Sequence, residues 1–166
     1  MFKGAMPRMR DDVQIRQAKP ADFDALGAVF HDAVRTAANA YSEAQRAAWS
    51  PAPRTGATWA ARLCAQLVWM AEADGRALGF MSLTPEGYVD LAVIIAEAQG
   101  HGLFRELYTP LEATARVRGL GRLWTDASLH AKSPFEAMGF VVVQPETVEL
   151  GGESFKRFRM EKILNG

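Results

Sequence analysis

The stretch from Gly87 to Gly121, GYVDLAVIIAEAQGHGLFRELYTPLEATARVRGLG, decides the fold of this chain. An apolar run with several β-branched residues, 89–95, predicts a buried strand. It leads into a short glycine turn, Gln99 to Gly102, which opens onto a helix-compatible segment. Glycines let the backbone approach a ligand closely, and the first N–H groups of a helix attract negative charge. The stretch therefore predicts a strand–turn–helix unit that binds phosphate or pyrophosphate.

The composition indicates one globular domain. A chain of 166 residues buries about two-thirds of its unfolded surface. Its 19 basic and 19 acidic residues balance, so we expect no nucleic-acid partner. Met1 to Asp12 lacks an apolar signal core, and we find no apolar run long enough to cross a bilayer. We expect a cytoplasmic protein with no membrane partner, in which a flexible extension over residues 1–12 precedes a single domain over residues 13–166.

Local signals divide the first half of the chain into a strand, three helices and a hairpin. Alternation of apolar and polar residues predicts a strand over 13–18, and Pro20 suits the first turn of the helix that follows. The run from Ser42 to Gln45 is a capping box and predicts a second, short helix that ends near Trp49. We place a third helix over 58–67. Asp74-Gly75 is a typical hairpin turn between strands 68–73 and 76–83.

The second half continues with strands and helices in alternation. We expect a helix from Leu103 that breaks near Tyr108, because Pro110 lies inside it and the sequence from Thr109 to Glu112 resembles a new capping box. Further elements are a strand over 122–127, a helix capped at Ser133, a strand over 140–143 and a terminal hairpin of strands 147–150 and 154–160. This order predicts an α/β fold with one mixed sheet and helices on both faces.

At this point the chain resembles the GNAT superfamily of acyl-CoA-dependent N-acetyltransferases, over about Val13 to Lys162. The family pattern Gln/Arg-x-x-Gly-x-Gly/Ala falls on Gln99, Gly102 and Phe104. Downstream, the family's Asn, Ala, Phe-Tyr-Glu and Gly-Phe correspond to Ser128, Ala131, Pro134-Phe135-Glu136 and Gly139-Phe140. The segments AVRTAANAYSEAQRAAWSP and FKRFRMEK further resemble a subgroup of small bacterial-type members of uncertain substrate. The resemblance implies the GNAT fold, with a mixed, mostly antiparallel sheet.

The resemblance also implies the activity, which is transfer of an acetyl group from acetyl-CoA directly to the amine of a small molecule. Backbone groups near Val93 and Ile94 would hold the acyl and pantetheine arm, and the loop that follows Gln99 would hold the pyrophosphate through Gly100, His101, Gly102, Leu103 and Phe104. Ser128 stands where the family has Asn, and it either binds the pantetheine arm or braces its own turn. Phe135 stands where a Tyr often protonates the departing CoA.

Phe104 is larger than the family's Gly or Ala, so its ring either points away into the sheet or fills the diphosphate groove. If it fills the groove, CoA affinity falls or another molecule binds. Phe104, Phe135 and Pro110 together favour the alternative, a catalytically impaired GNAT-fold module that binds a ligand or a partner. Another acyl-CoA as donor is a further alternative.

An attacking amine must be neutral, so a base assists the reaction. The resemblance implies Asp90 for this role, because some relatives have an acidic residue at this position of the strand. A solvent-facing or Arg-paired carboxylate is the alternative, and His31 is a weaker candidate for the base. Candidate walls of the acceptor pocket are Tyr41, Trp49, Trp59 and Trp69. The sequence shows no metal-ligand spacing, and its terminal strands could pair in a homodimer.

Overall fold

The computed structural model describes residues 12–165. The predicted extension therefore lies almost entirely outside the described residues and stays a prediction. Within the described range the helices are α1 (Phe23–Asp32), α2 (Glu43–Trp49), α3 (Gly56–Cys64), α4 (Leu103–Val117) and α5 (Lys132–Ala137). The strands are β1 (Gln14–Gln17), β2 (Leu67–Ala73), β3 (Arg76–Leu83), β4 (Tyr88–Ile94), β5 (Arg122–Ser128), β6 (Val141–Leu150) and β7 (Glu153–Ile163).

Seven strands of residues 12–165 form one sheet in the order β1-β2-β3-β4-β5-β7-β6. The β4–β5 pair is parallel and the other five neighbouring pairs are antiparallel. Helices cover both faces: Arg62 of α3 reaches Asp90 on one face, and Lys162 of β7 reaches Glu112 of α4 on the other. The mixed, mostly antiparallel α/β architecture predicted from the sequence is confirmed.

Strand β4 contains a β-bulge at Asp90. Ser82 of β3 pairs with Leu91, but the next residue, Leu83, pairs with Val89, so Asp90 is the extra residue. On its other side β4 pairs with β5 at two positions only, Tyr88 with Trp124 and Val89 with Thr125. Bulges bend a strand and interrupt its pairing. Beyond Val89 the two parallel strands separate, and a cavity opens between them.

Helix α1 supplies one side of that cavity. Its apolar positions recur with the helical period, and Phe23, Leu26, Val29 and Phe30 are buried. The helix continues into a π-helical turn, Ala33–Ala37, a rare and wider geometry that is frequent at functional sites. At Gly27 the loop before α3 comes so close that a Cβ atom there would lie 1.8 Å from the carbonyl oxygen of Arg54.

The predicted break in α4 is wrong. The helix runs without interruption from Leu103 to Val117 with Pro110 inside it. Proline removes one backbone hydrogen bond, but the buried face that includes Leu107 and Leu111 holds the helix against the sheet. The Thr109 hydroxyl donates to the carbonyl of Arg105 at 2.8 Å, as inside a helix, so the expected capping box does not form.

Two other local predictions need correction. Helix α5 begins at Lys132, before the predicted cap at Ser133, so Pro134 lies in the first turn, where its missing N–H is tolerated. Strand β6 is one continuous strand, although the sequence predicts two strands around Pro145. Because β6 is an edge strand, a proline can face solvent there without losing a ladder hydrogen bond. Pairing of this edge in a homodimer stays a prediction.

We expect Gly27→Ala to destabilise the protein. Helix propensity alone predicts that the free energy of unfolding rises by about 1 kcal/mol, since alanine is a better helix former than glycine. Overpacking against the Arg54 carbonyl predicts a loss of about 1–3 kcal/mol. The sign of the change in unfolding free energy, measured by urea denaturation, distinguishes the two. A stabilised variant would contradict the close packing of the 50–55 loop on α1.

Candidate functional site

A cavity of about 410 Å³ lies between the separated parts of β4 and β5. Small side chains provide its space, among them Ala33 and Ala37 of the π-helical turn, Ala92 of β4 and Ala127 of β5. The cavity is continuous from the glycine turn at the start of α4 to Asp90 and Trp49, and all these groups line it. One space therefore joins the predicted anion-binding turn to the predicted catalytic carboxylate.

The glycine turn leaves the first turn of α4 without a side-chain cap. Gly102 is the N-cap residue at φ 83° and offers no side chain to the helix N–H groups. Gly100 is also left-handed, at φ 80°, and a Cβ atom there would meet nothing within 4 Å. Open space beside uncapped N–H groups at the positive end of a 15-residue helix suits an anion.

The predicted donor-site residues fall mostly around this cavity. Its lining includes Val93, Ile94, Gln99, Gly100, Gly102, Leu103, Phe104, Ser128 and Phe135. His101 lies in the turn but is absent from the lining among the described residues. The Gln99 side-chain amide donates to the carbonyl of Ile94 at 2.9 Å and so ties the turn to the end of β4. Beyond Val89, the β5-facing edge of β4 has no strand partner in the described structure.

Phe104 and Phe135 pack against each other. Their ring centroids lie 5.0 Å apart with the planes at 89°, a favourable edge-to-face geometry. Phe135 is 1% exposed and also packs on Phe140. The Phe104 ring is thus directed to the cavity wall formed by Phe135.

Ser128 braces its own turn, which is one of the two roles predicted for it. Its hydroxyl oxygen accepts a hydrogen bond from the Ala131 N–H at 3.2 Å. The residue still lines the cavity.

Asp90 is held in an ion pair. Its carboxylate accepts two hydrogen bonds from Arg62, at 2.8 and 3.0 Å, and one from the Gln66 amide at 2.8 Å. Burial raises the pKa of Asp90, but these hydrogen bonds outweigh burial and hold the pKa below its ordinary value. Of the roles considered from the sequence, the structure shows the Arg-paired carboxylate. Whether Asp90 also takes a proton stays a prediction.

A second carboxylate, Asp126 of β5, lines the cavity and was missed by the sequence analysis. It accepts hydrogen bonds from the Tyr88 hydroxyl at 2.8 Å and from Arg159 at 2.6 Å, and its side chain is 7% exposed. Burial raises the pKa of Asp126, but the hydrogen bonds from Arg159 and Tyr88 favour the ionised form and outweigh burial. The pKa of Asp126 therefore lies below its usual range. The available signal was the alternation of β5, which places Asp126 on the same face as Ser128.

The aromatic residues predicted for the acceptor pocket divide between the cavity and the core. Trp49 lines the cavity. Trp59 is buried and donates to the Phe23 carbonyl at 2.7 Å, which is a core position. Tyr41 is buried behind Trp49, where its hydroxyl donates to the Lys156 carbonyl at 2.7 Å. Trp69 is partly buried against the core and, like Tyr41 and Trp59, is not among the described residues that line the cavity.

Two histidines, His31 and His130, form side-chain hydrogen bonds near α1 and the cavity wall. His31 is not among the described residues that line the cavity, and its Nδ1 shares a 2.8 Å hydrogen bond with the buried Ser50 hydroxyl. His130 lines the cavity, and its Nε2 accepts the Ala40 N–H at 2.9 Å. Burial lowers the pKa of His130. Both features favour the neutral imidazole at this point of the wall.

Two features are absent from residues 12–165. No group of three or more His, Cys, Asp or Glu side chains there could hold a metal ion. No helix in the same range is long and apolar enough to cross a membrane.

Comparison with known proteins places the chain among acetyltransferases. The family model for the acetyltransferase (GNAT) domain matches residues 37–164. The uncharacterized N-acetyltransferase YafP of Escherichia coli K12 is 34% identical over 151 residues, which cover 90% of this chain and 95% of that protein. A crystal structure of a GCN5-related N-acetyltransferase from Rhodopseudomonas palustris has a TM-score of 0.85 at 32% identity and covers 91% of this chain and 95% of that one.

The fold also recurs in more distant structures. YncA from Salmonella typhimurium, a putative acetyltransferase solved with acetyl-CoA, has a TM-score of 0.66 at 22% identity, over 93% of this chain and 95% of that one. At this identity the likeness concerns the fold.

The Arg62–Asp90 pair yields a prediction about pH. In an NMR titration of side-chain carboxyl carbons, Asp90 should titrate below 3.8, its ordinary value, and Arg62→Gln should move its midpoint upwards. Because the folded pKa is the lower one, the pair stabilises the protein above about pH 4 and loses that contribution as pH falls through the folded pKa. Arg62→Gln should therefore cost more stability at pH 7 than at pH 3.

Arg122→Gln is the matched control, since Arg122 pairs with Glu161 elsewhere on the sheet. It should leave the Asp90 titration unchanged. An Asp90 midpoint that ignores Arg62→Gln would contradict the pairing.

Proposed function

The chain belongs to the GNAT acetyltransferase family, and we propose that it transfers the acetyl group of acetyl-CoA directly to the amine of a small molecule. The observation that carries the proposal is the single cavity that runs from the uncapped start of α4 to Asp90. Membership of the family supports the reaction class. The acceptor is inferred from the residues at the far end of the cavity.

The donor would lie along the glycine turn and the open edge of β4. Backbone N–H groups from Gly100 to Phe104 are suited to the pyrophosphate, because they sit at a helix N-terminus with open space beside Gly100. The acyl and pantetheine arm would lie along the part of β4 near Val93 that lacks a partner on its β5 side. A backbone edge of this kind offers N–H and C=O groups to an amide-containing chain.

The transfer requires a neutral amine nitrogen. The nitrogen forms a bond to the carbonyl carbon, the carbon–sulfur bond breaks, and its electron pair leaves with the thiolate. The nitrogen must also lose a proton. We propose that Asp90 accepts it, since the carboxylate is ionised at neutral pH and lines the cavity. Its low pKa makes Asp90 a weak base for a free ammonium ion, whose pKa is about 10, so the proton would leave after attack has made the nitrogen acidic.

The departing thiolate needs little help. A thiol has a pKa of about 8.5, so the sulfur can leave without a proton donor. Phe135 has no proton to give, and its buried ring forms an apolar wall of the cavity instead. The loss of the family's Tyr is therefore compatible with transfer.

Binding of acetyl-CoA tests the donor assignment. By titration calorimetry we expect acetyl-CoA to bind and S-acetylpantetheine, which lacks the pyrophosphate, to bind at least about tenfold more weakly. Charge-assisted hydrogen bonds contribute about 1.5–3 kcal/mol each, and the shorter ligand forgoes them. No heat with near-millimolar acetyl-CoA would overturn the enzyme proposal in favour of a GNAT-fold module that binds another ligand or a partner.

Restoring the hydroxyl tests the leaving-group argument. We expect Phe135→Tyr to change kcat by less than about twofold, because a thiol of pKa about 8.5 leaves as the thiolate unaided. The rate is measured as release of free thiol with a fixed amine, and acetyl-CoA binding to the variant is measured alongside as the control. A tenfold rise in kcat at unchanged binding would show that protonation of the sulfur limits the native enzyme.

A further inference from the structure

We propose that Asp90 and Asp126 select an acceptor amine that carries a second cationic group and no anionic group. The inference deepens the proposed acetyl transfer and rests on it. It concerns the acceptor end of the same cavity, opposite the glycine turn.

The charge of the cavity wall is the first observation. Among the described residues that line the cavity, the ionisable side chains are Asp90, Asp126 and His130, and that lining holds no lysine or arginine. His130 supplies no lasting positive charge, because its Nε2 already accepts the Ala40 N–H. The residues of this lining that carry a fixed charge are therefore two aspartates.

The two carboxylates lie at the same end of the cavity. The Tyr88 hydroxyl donates to Asp126 at 2.8 Å. Burial is the largest cause that raises the pKa of Tyr88, and the negative charges of Asp126 and Asp90 both raise it further. Asp90 and Asp126 are also the residues that directly follow the last register pair of β4 and β5, Val89 with Thr125, so both lie where the two strands begin to separate.

The arginine partners support the carboxylates from outside the lining. Arg62 holds Asp90, while Arg157 and Arg159 hold Asp126 and also pair with Glu146. These contacts keep both aspartates ionised, but the guanidinium groups are absent from the described cavity wall. A carboxylate or phosphate on the acceptor would meet like charge at a described cavity wall that contains no basic side chain to pair with it, which is unfavourable.

The reacting amine cannot itself be the lasting partner of these charges, because it must be neutral when it attacks the carbonyl carbon. A second amine on the same molecule can stay protonated throughout the reaction. That second group would form charge-assisted hydrogen bonds with the carboxylates, and so an alkyl diamine fits the cavity better than an alkyl monoamine or an amino acid.

Three amines of equal chain length test the selection: 1,4-diaminobutane, butylamine and 4-aminobutanoate. We expect kcat/KM for the diamine to exceed that for butylamine by about tenfold or more, as one charge-assisted interaction can provide. The amino acid should be the poorest of the three. A preference for 4-aminobutanoate, or equal values for all three, would overturn the proposal.

Variants assign the preference to the cavity wall. Asp126→Asn should reduce the ratio of diamine to butylamine to about one-tenth or less of its native value, and Asp90→Asn is a second variant with the same expected direction in case the first does not fold. Glu146→Gln is the matched control, because it removes a carboxylate from the same arginine network without touching the described cavity wall. It should keep the native ratio.

A ratio that survives both aspartate variants would also overturn the selection. If none of the three amines is acetylated although acetyl-CoA binds, the transfer to small amines fails and the selection fails with it. Because acetyl-CoA binding and the substrate ratio are measured separately, failure of the selection alone is distinguishable from failure of the activity.

Discussion

The candidate site depends on the short parallel pairing between β4 and β5. Two register pairs join them, Tyr88 with Trp124 and Val89 with Thr125. At the second pair the buried Thr125 hydroxyl donates a hydrogen bond to the Val89 carbonyl at 2.8 Å. The bulge at Asp90 follows at once. A longer parallel ladder would close the cavity and pair the edge of β4 along which we propose that the donor lies. Separation of the strands therefore creates the cavity, exposes backbone groups and places Asp90 at the point of divergence.

The placement of Asp90 also depends on α3. A carboxylate in a half-buried cavity is unfavourable unless it is paired and hydrogen-bonded, and Arg62 and Gln66 supply three hydrogen bonds to it. The loop before α3 can lie close to α1 because Gly27 of α1 has no side chain. The position of α3 therefore depends on Gly27. Packing far from the glycine turn thus sets the electrostatics around Asp90.

Local rules recovered most elements and the hairpins but not the contacts between residues that are distant in sequence. The Asp74-Gly75 hairpin and the Ser42 capping box, in which Ser42 and Gln45 exchange hydrogen bonds, form as the sequence predicts. Pro110 misled the analysis because its local penalty is outweighed by the buried face of α4, a tertiary effect. Asp126 escaped notice because its partners Tyr88 and Arg159 are 38 and 33 residues away. The bulge that separates β4 from β5 has no clear sequence signature either.

Two of the departures from the family pattern, Phe104 and Phe135, are linked in space. Considered along the sequence, Phe104 and Phe135 are separate oddities, each of which would argue against activity. In the structure they form one edge-to-face pair, and Phe140 extends it. The ring of Phe104 packs against Phe135. A Tyr at position 135 would place a hydroxyl group in the same wall. An apolar pair at this position is therefore one coherent surface, and the absent hydroxyl and the added ring count as a single change in the wall of the cavity.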